Sequence, residues 1–396
     1  MKPYTAIIAI LLPASLFQGA GDGVDYRSVH FRALFVDTHN DVVQRVLAGE
    51  DLSKRTAHGH SDLPRFAEGG VDVELFSIWV PPEKTGRGYF EQAMEQMDSI
   101  DALARRNPGR MAMGRSADGI DSQVAAGKFV GLYGVEGGHA IENGLAKLDS
   151  LYARGARYMT LTWNNSTDWA TSASDETDTA KHPAHAGLTE FGKQIVRRMN
   201  DLGMLVDVSH AGEQTFTDVM ATTRKPVIAS HSSVWNISPH RRNLKDYQLK
   251  AIRDNGGVVF INFAPWFIDS AFGAREAVMR KRQAERIDSI RATIHGDEFI
   301  RDVYSAEQIS ADYDPIRPTL SQVLDHFDYV ARLIGVDHLG VGSDFDGISV
   351  TPAGLDDVTH FPELTKGLLE RGYSVEDVDK ILGGNFMRVL RVAEAR

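Results

Sequence analysis

The sequence predicts an α/β protein folded as a (β/α)8, TIM-like barrel, and three observations carry that prediction. Eight apolar, β-rich runs recur along the chain, amphipathic helical stretches lie between them, and nearly every run ends in polar or ionisable residues. Runs that are apolar throughout, rather than alternating, suit strands covered on both faces, as in a parallel sheet. Strand alternating with helix eight times over reads as a barrel. A doubly wound open sheet is the alternative, but no glycine-rich phosphate fingerprint follows a run to favour it.

The chain opens with Met1-Lys2, an apolar stretch AIIAILLPASLF (6–17) and then QGAGDG. A charged start, a short apolar core and small residues near Ala20 have the anatomy of a cleavable signal peptide, expected over residues 1–20. A disordered or buried N-terminal segment is the alternative. The stretch is too short to span a bilayer as a helix. No other stretch reads as transmembrane, so the mature chain is expected to be secreted or periplasmic without an integral membrane span. A single barrel domain is expected over residues 30–396.

The first run, LFVDTHND (34–41), ends in His39 and Asp41. Strand side chains alternate, so residues two apart point the same way and can hold one ion. The second run is VDVELFSIWV (71–80), followed by the helical pattern FEQAMEQMDSIDALARR (90–106). The third, FVGLYGVEGG (129–138), ends in Glu136 followed by Gly137 and Gly138. A glutamate among apolar residues needs a partner, because burying a lone charge is costly. A metal would be that partner; a salt bridge at the barrel mouth is the alternative.

The fourth run, YMTLTWNN (158–165), ends in Trp163 and Asn164 and precedes the helical pattern LTEFGKQIVRRMNDL (188–202). The fifth and sixth, LVDVSHA (205–211) and PVIASHSS (226–233), end in His210 and His231. Adjacent strands lie about 5 Å apart, so two imidazoles at matching depth can converge on one ion. Arg241-Arg242 follow strand six; a guanidinium there could clamp a carboxylate in a bidentate pair. The seventh run, GGVVFINFA (256–264), carries Asn262. The eighth, HLGVGSDFDG (338–347), follows the helical pattern TLSQVLDHFDYVARLI (319–334) and ends in Asp344, the natural candidate for a base, with Asp346, of the same facing by alternation, as its competitor.

Residues 265–318 form a long insert between the seventh and eighth runs. Its stretch AREAVMRKRQAERIDSIRATI (274–294) is charged and helix-prone, which suits a solvated surface helix, or a lid or subunit contact beside the barrel mouth.

Composition narrows the chemistry. A net charge of −11 makes nucleic acid an unsuitable partner. The chain has no cysteine, which excludes disulfides, thiolate metal sites and cysteine nucleophiles. Any metal must sit among His, Asp and Glu, the ligand set of catalytic sites. Active sites of this fold lie at the C-terminal ends of the strands, where these residues are. His39, Asp41, Glu136, His210 and His231 would suffice for two ions, and paired ions in hydrolases make a bridging hydroxide at neutral pH.

At these residues the sequence resembles the membrane (renal-type) dipeptidases of the amidohydrolase superfamily. The resemblance runs from about residue 34 to GGNFMRVL (383–390), through HND (39–41), EGGH (136–139), YMTLTW (158–163), DVSH (207–210), SHSS (230–233), RRN (241–243) and SDFDG (343–347). It implies a TIM-like barrel of the metal-dependent hydrolase type, with two zinc ions per chain, that cleaves dipeptides. It also implies that β-lactam rings and D-residues at the C-terminal side can be accepted. His39 and Asp41 would hold one zinc, Glu136 would bridge, and His210 and His231 would hold the second. Asp344 would move the proton and Arg242 would bind the C-terminal carboxylate. Members are often homodimers. One position departs: the family usually has a histidine after LT of the fourth run, where this chain has Trp163. An indole cannot carry positive charge, so either Asn164 or another group takes over that substrate contact, or the substrate differs. An N-acyl amino acid or a lactone is the alternative substrate, and a non-catalytic binding protein on the same scaffold is a third reading.

Overall fold

The structure is a computed structural model that describes residues 24–83, 86–181, 183–294, 301, 305 and 308–395. The segment expected to be a signal peptide lies outside the described residues, as does part of the insert. Among the described residues, no helix is long and apolar enough to cross a membrane.

The described residues form nine parallel strands: β1 (Val36–Asn40), β2 (Val73–Trp79), β3 (Met111–Met113), β4 (Phe129–Glu136), β5 (Ala156–Thr160), β6 (Leu205–Asp207), β7 (Val227–Ala229), β8 (Val258–Ile261) and β9 (Leu339–Val341). Eight of them close into a barrel in the order β1-β2-β4-β5-β6-β7-β8-β9, with β9 returning to β1 through Asp37 and Val341. These eight correspond to the eight apolar runs. β3 is additional. It pairs with the first residues of β4, from Met111 opposite Phe129 to Met113 opposite Gly131, below the point where β5 takes over that edge.

Two apolar layers hold the barrel. Alternate strand residues such as Val73, Leu75, Val130, Leu132, Leu205, Ile228, Val258 and Phe260 pack with Phe386, Met387, Val389 and Leu390 of the last helix, Asn385–Glu394. That helix therefore closes the N-terminal end of the barrel. The other parity, including Phe76, Ile78, Val135, Val206 and Ile261, packs against the surrounding helices. Strands buried on both faces explain why the runs read as continuously apolar.

The helices follow their sequence signals. Tyr89–Arg106 buries one face through Ala93, Met97, Ile100 and Leu103. Glu190–Leu202 starts at the side-chain cap Thr189 and stops at Gly203, which has a φ of 83°. Leu320–Ile334 begins with a capping box between Thr319 and Gln322. The insert differs from expectation. Its charged stretch is two helices, Phe272–Arg282 and Ala284–Arg291, interrupted at Gln283. They build a small core of Phe272, Ile287, Ile309 and Tyr313 against Val350. The insert begins with the short helix Pro265–Ile268, which puts Trp266 and Phe267 at the barrel mouth.

Candidate metal centre

Most strands stop short of the polar residues that end the runs. β6 ends at Asp207 and β7 at Ala229, so His210 and His231 stand on turns above the barrel rather than on strands. His210 has a φ of 63° and Asp344 a φ of 66°, left-handed values that non-glycine residues adopt at a cost. The first and last strands are tied above their ends: Asp41 N donates to Phe345 O and Asp344 N donates to His39 O.

His39, Asp41, Glu136, His210 and His231 come together at this end. His39 Nε2 lies 3.5 Å from Asp41 Oδ2 and 3.6 Å from Glu136 Oε2. His210 Nε2 and His231 Nε2 lie 3.0 Å and 3.5 Å from Glu136 Oε1. Glu136 thus points one oxygen at each of two ligand groups. Ligand atoms of His39, Glu136 and His231 all fall within 4.8 Å of one another, as do those of His39, Asp41 and Asp344.

The second nitrogen of each ring fixes which one faces the cluster. Tyr158 OH donates to Thr38 O, so it accepts from His39 Nδ1 at 2.8 Å. Ser230 Oγ donates to Asp207 Oδ2, so it accepts from His231 Nδ1 at 2.8 Å. Asn164 Oδ1 accepts from His210 Nδ1 at 3.2 Å. Every Nδ1 is then a donor, and in the neutral rings all three Nε2 lone pairs point at carboxylates. His39 Nε2 is buried without a hydrogen-bond partner. A buried cluster made of acceptors alone calls for cations. Two donors at 2.0–2.1 Å from one tetrahedral ion lie about 3.3 Å apart, close to the separations found here. The residues fit a pair of divalent ions, and the tautomers are held in the manner of metal-ligating histidines.

The charges agree. Burial opposes ionisation of Glu136, yet His39, His210 and His231 hold its carboxyl well below the usual range. Burial drives His210 down to about 3, with Arg242 adding to the effect, and pulls His231 down as well. Burial also works against a charged His39, but Tyr158 and the carboxylates of Glu136 and Asp41 outweigh it and hold the ring well above its ordinary value. Without ions, a proton on His39 is the cation of the cluster.

Asp344 and Asp346 separate. Asp344 borders the cavity, with Oδ1 4.0 Å from His39 Nε2 and Oδ2 accepting from Asn262 Nδ2 at 2.8 Å. Burial, together with Asp41 and Glu136, pushes it up to about 8. Asp346 is buried beneath and accepts from Arg45 Nη1 at 3.1 Å and His60 N at 2.8 Å. A Cβ at Gly347 would stand 2.1 Å from Asp41 Oδ2 and 2.7 Å from Asp344 Oδ1, so any side chain there would push these carboxylates aside.

The cluster floors a cavity of about 470 Å³, a size that suits a small ligand. Arg242 stands on one side. Its Nη2 donates to His231 O at 3.1 Å, its guanidinium lies 5.4 Å from the Phe267 ring centroid, and its buried Nε has no partner. Burial lowers it to about 10, which leaves it cationic at neutral pH. Trp163 and Asn164 also line the cavity, and Asn164 is the residue that orients His210. Sequence reasoning missed Tyr158, Ser77, Trp79, Trp266 and Phe267. Ser77 Oγ donates to Glu136 Oε2 at 3.1 Å. Ser77 and Trp79 share one facing of β2 by alternation, and that pattern was the available signal.

Comparison with known proteins matches residues 25–396 to the family described as Membrane dipeptidase (Peptidase family M19). The chain is 31% identical over 374 residues to Dipeptidase tcpJ of Claviceps purpurea (strain 20.1), covering 90% of this chain and 76% of that one. It is 33% identical over 345 residues to Dipeptidase verJ of Clonostachys rogersoniana, covering 85% and 76%. Among solved structures, the probable dipeptidase PvdM from Pseudomonas aeruginosa superposes with a TM-score of 0.76 at 25% identity, covering 93% of this chain and 97% of that one. A metallo peptidase from Rhodobacter sphaeroides, liganded with a phosphinate mimic of the dipeptide L-Ala-D-Ala, gives a TM-score of 0.72 at 26% identity, covering 91% and 99%. The chain belongs to the membrane dipeptidase family.

Proposed function

We propose that this member of the membrane dipeptidase family hydrolyses the peptide bond of dipeptides with two zinc ions held between its strand ends. The observation that carries the proposal is the division of Glu136, whose Oε2 faces His39 and whose Oε1 faces His210 and His231. His39 and Asp41 would hold one ion, His210 and His231 the other, and Glu136 both. A nitrogen and oxygen donor set without thiolate suits catalytic zinc. Bound there, the ions supply a water deprotonated at neutral pH and a Lewis acid for the scissile carbonyl.

The remaining residues do the positioning and proton work. Arg242, a cation that lines the cavity beside Phe267, receives the C-terminal carboxylate. That contact orients the dipeptide with its amide over the cluster. Asp344, whose Oδ1 faces His39 Nε2 across the cluster, would take a proton from the attacking water and return it to the leaving amine. Asn262 holds its other oxygen, so one oxygen is free to face the cavity.

A second reading keeps the same chemistry and changes the substrate. Trp163 borders the cavity with an indole, which offers one donor and no charge, so an N-acyl amino acid would find its carboxylate site and its amide site here. A lactone would be opened by the same cluster. A panel of L,L and L,D dipeptides, N-acetyl amino acids and lactones, followed by product mass spectrometry, separates them. Dipeptide cleavage is expected to dominate. Turnover confined to N-acyl amino acids or lactones would replace the dipeptide reading with the second one.

A further inference from the structure

The cavity has two opposed walls. β2, β4 and β5 are consecutive in the barrel and lie across it from β7 and β8. Arg242 and Phe267, which follow β7 and β8, stand on one wall. The other wall carries Trp79, the last residue of β2, and Trp163, which follows β5. Their ring centroids are 5.0 Å apart with planes at 59°, a tilted pair, and both rings are partly exposed to the cavity. Trp79 is in register with Glu136 and the Trp163 ring is 6.3 Å from that of His210, so the pair adjoins the ligand cluster directly. Pro81 and Pro82 extend the wall outward and contribute no backbone N–H.

From this arrangement we infer that Trp79 and Trp163 form a specificity subsite for a large apolar or aromatic side chain on the N-terminal residue of the substrate. The inference rests on the dipeptidase reading. With the carboxylate on Arg242 and the amide over the cluster, the N-terminal residue extends to the opposite wall. What it meets there is two indole faces and two prolines, a surface that gains from apolar contact, with the exposed Glu83 following Pro82 in the same lining. Glycine leaves that surface wet. A single methylene in an apolar pocket is worth about 10–200-fold in kcat/KM, so an aromatic side chain in place of hydrogen should exceed a hundredfold.

The test uses the zinc-loaded protein and the series Gly-Gly, Ala-Gly, Leu-Gly, Phe-Gly and Lys-Gly. kcat/KM is expected to rise from Gly-Gly to Phe-Gly by about two orders of magnitude. Trp79→Ala and Trp163→Ala should each cut the Phe-Gly to Gly-Gly ratio at least tenfold, while the milder Trp79→Phe keeps most of it. Zinc content of each variant reports whether the cluster is intact. In parallel, the Asp344→Asn protein is titrated calorimetrically with the same dipeptides, with and without the tryptophan substitutions. Tighter binding of Phe-Gly that vanishes with the tryptophans upholds the subsite even where no dipeptide is cleaved, an outcome that would overturn only the reaction. A series flat in both binding and turnover, or a preference that survives loss of both tryptophans, would overturn the inference.

Discussion

His210 and His231 face each other through Nε2 atoms 3.0 Å apart. Asn164 and Ser230 take the Nδ1 protons of the two rings, so two lone pairs meet head-on beside Glu136 Oε1. That contact is unfavourable until a cation enters. Removing an orienting partner should therefore weaken metal binding. Ser230→Ala is expected to lower zinc affinity about 10–100-fold, the usual effect of losing an outer partner of a ligating histidine. Competition against a chromogenic chelator measures it. An unchanged affinity would show that Ser230 does not set the His231 tautomer.

The ion-free cluster should respond to pH in a defined direction. Asp344 is raised from 3.8 to about 8, so the folded protein retains a proton that the unfolded chain releases near pH 4. Its stabilising contribution is largest at low pH and is lost as pH rises toward 8. His39, also raised, has the same sign above its ordinary value of 6.5. His210, lowered to about 3, has the opposite sign but acts only below 6.5. Between pH 7 and 8 His210 no longer acts, and Asp41, also raised by burial, has the same sign as Asp344 and His39. Metal-stripped protein should lose thermal stability over that interval, and zinc loading at pH 7 should release protons. Scanning fluorimetry and calorimetry in buffers of different ionisation enthalpy read the two effects. A stripped protein that gains stability over the same interval would contradict the assignment.

The two aspartates of SDFDG should fail differently. Asp344→Asn removes the proton carrier and is expected to lower kcat by about 10²–10⁴ while zinc content is retained. Asp346→Ala leaves Arg45 with one buried partner fewer, Glu50 remaining at 2.6 Å. It should destabilise the fold by up to about 3–5 kcal/mol, seen in the melting temperature. Steady-state kinetics and melting curves on both variants separate the roles, and a large kcat loss in Asp346→Ala at full stability would exchange them.

Gly347→Ala places a methyl group against both Asp41 and Asp344. One carboxylate must move, and the cluster cannot keep both in place. Zinc occupancy should fall together with activity, with little change in the stability of the stripped protein. Metal analysis and a melting curve decide it; full occupancy would mean that Asp41 is not a ligand.

The barrel was legible because its strands are buried on both faces and therefore read as eight continuous runs. β3 was not, since Met111–Met113 is three residues long and pairs only with the start of β4. The convergence of His39, Asp41, Glu136, His210 and His231 was legible from the His and carboxylate residues ending the runs. Asp344 was the preferred base over Asp346, but how the fold separates the two was not legible. Alternation gives both one facing, but β9 ends at Val341 and both residues take left-handed φ values of 66° and 62°, so the strand rule no longer holds there. Tyr158 was hidden for another reason: it looks like a core aromatic, and only the fold places its hydroxyl 2.8 Å from His39 Nδ1. The break of the insert helix at Gln283 has no signal in glycine or proline, and nothing in the described contacts explains it.

Metal stoichiometry coupled to hydrolysis tests the central claim most directly. Stripped protein is titrated with zinc while bound metal is counted by mass spectrometry and dipeptide cleavage is followed. Binding should stop at about two ions per chain, as expected for one carboxylate shared by two ligand groups, and activity should vanish with chelator and return on reloading. Saturation at a single ion, or cleavage that persists in fully stripped protein, would contradict the account of Glu136 as the shared ligand.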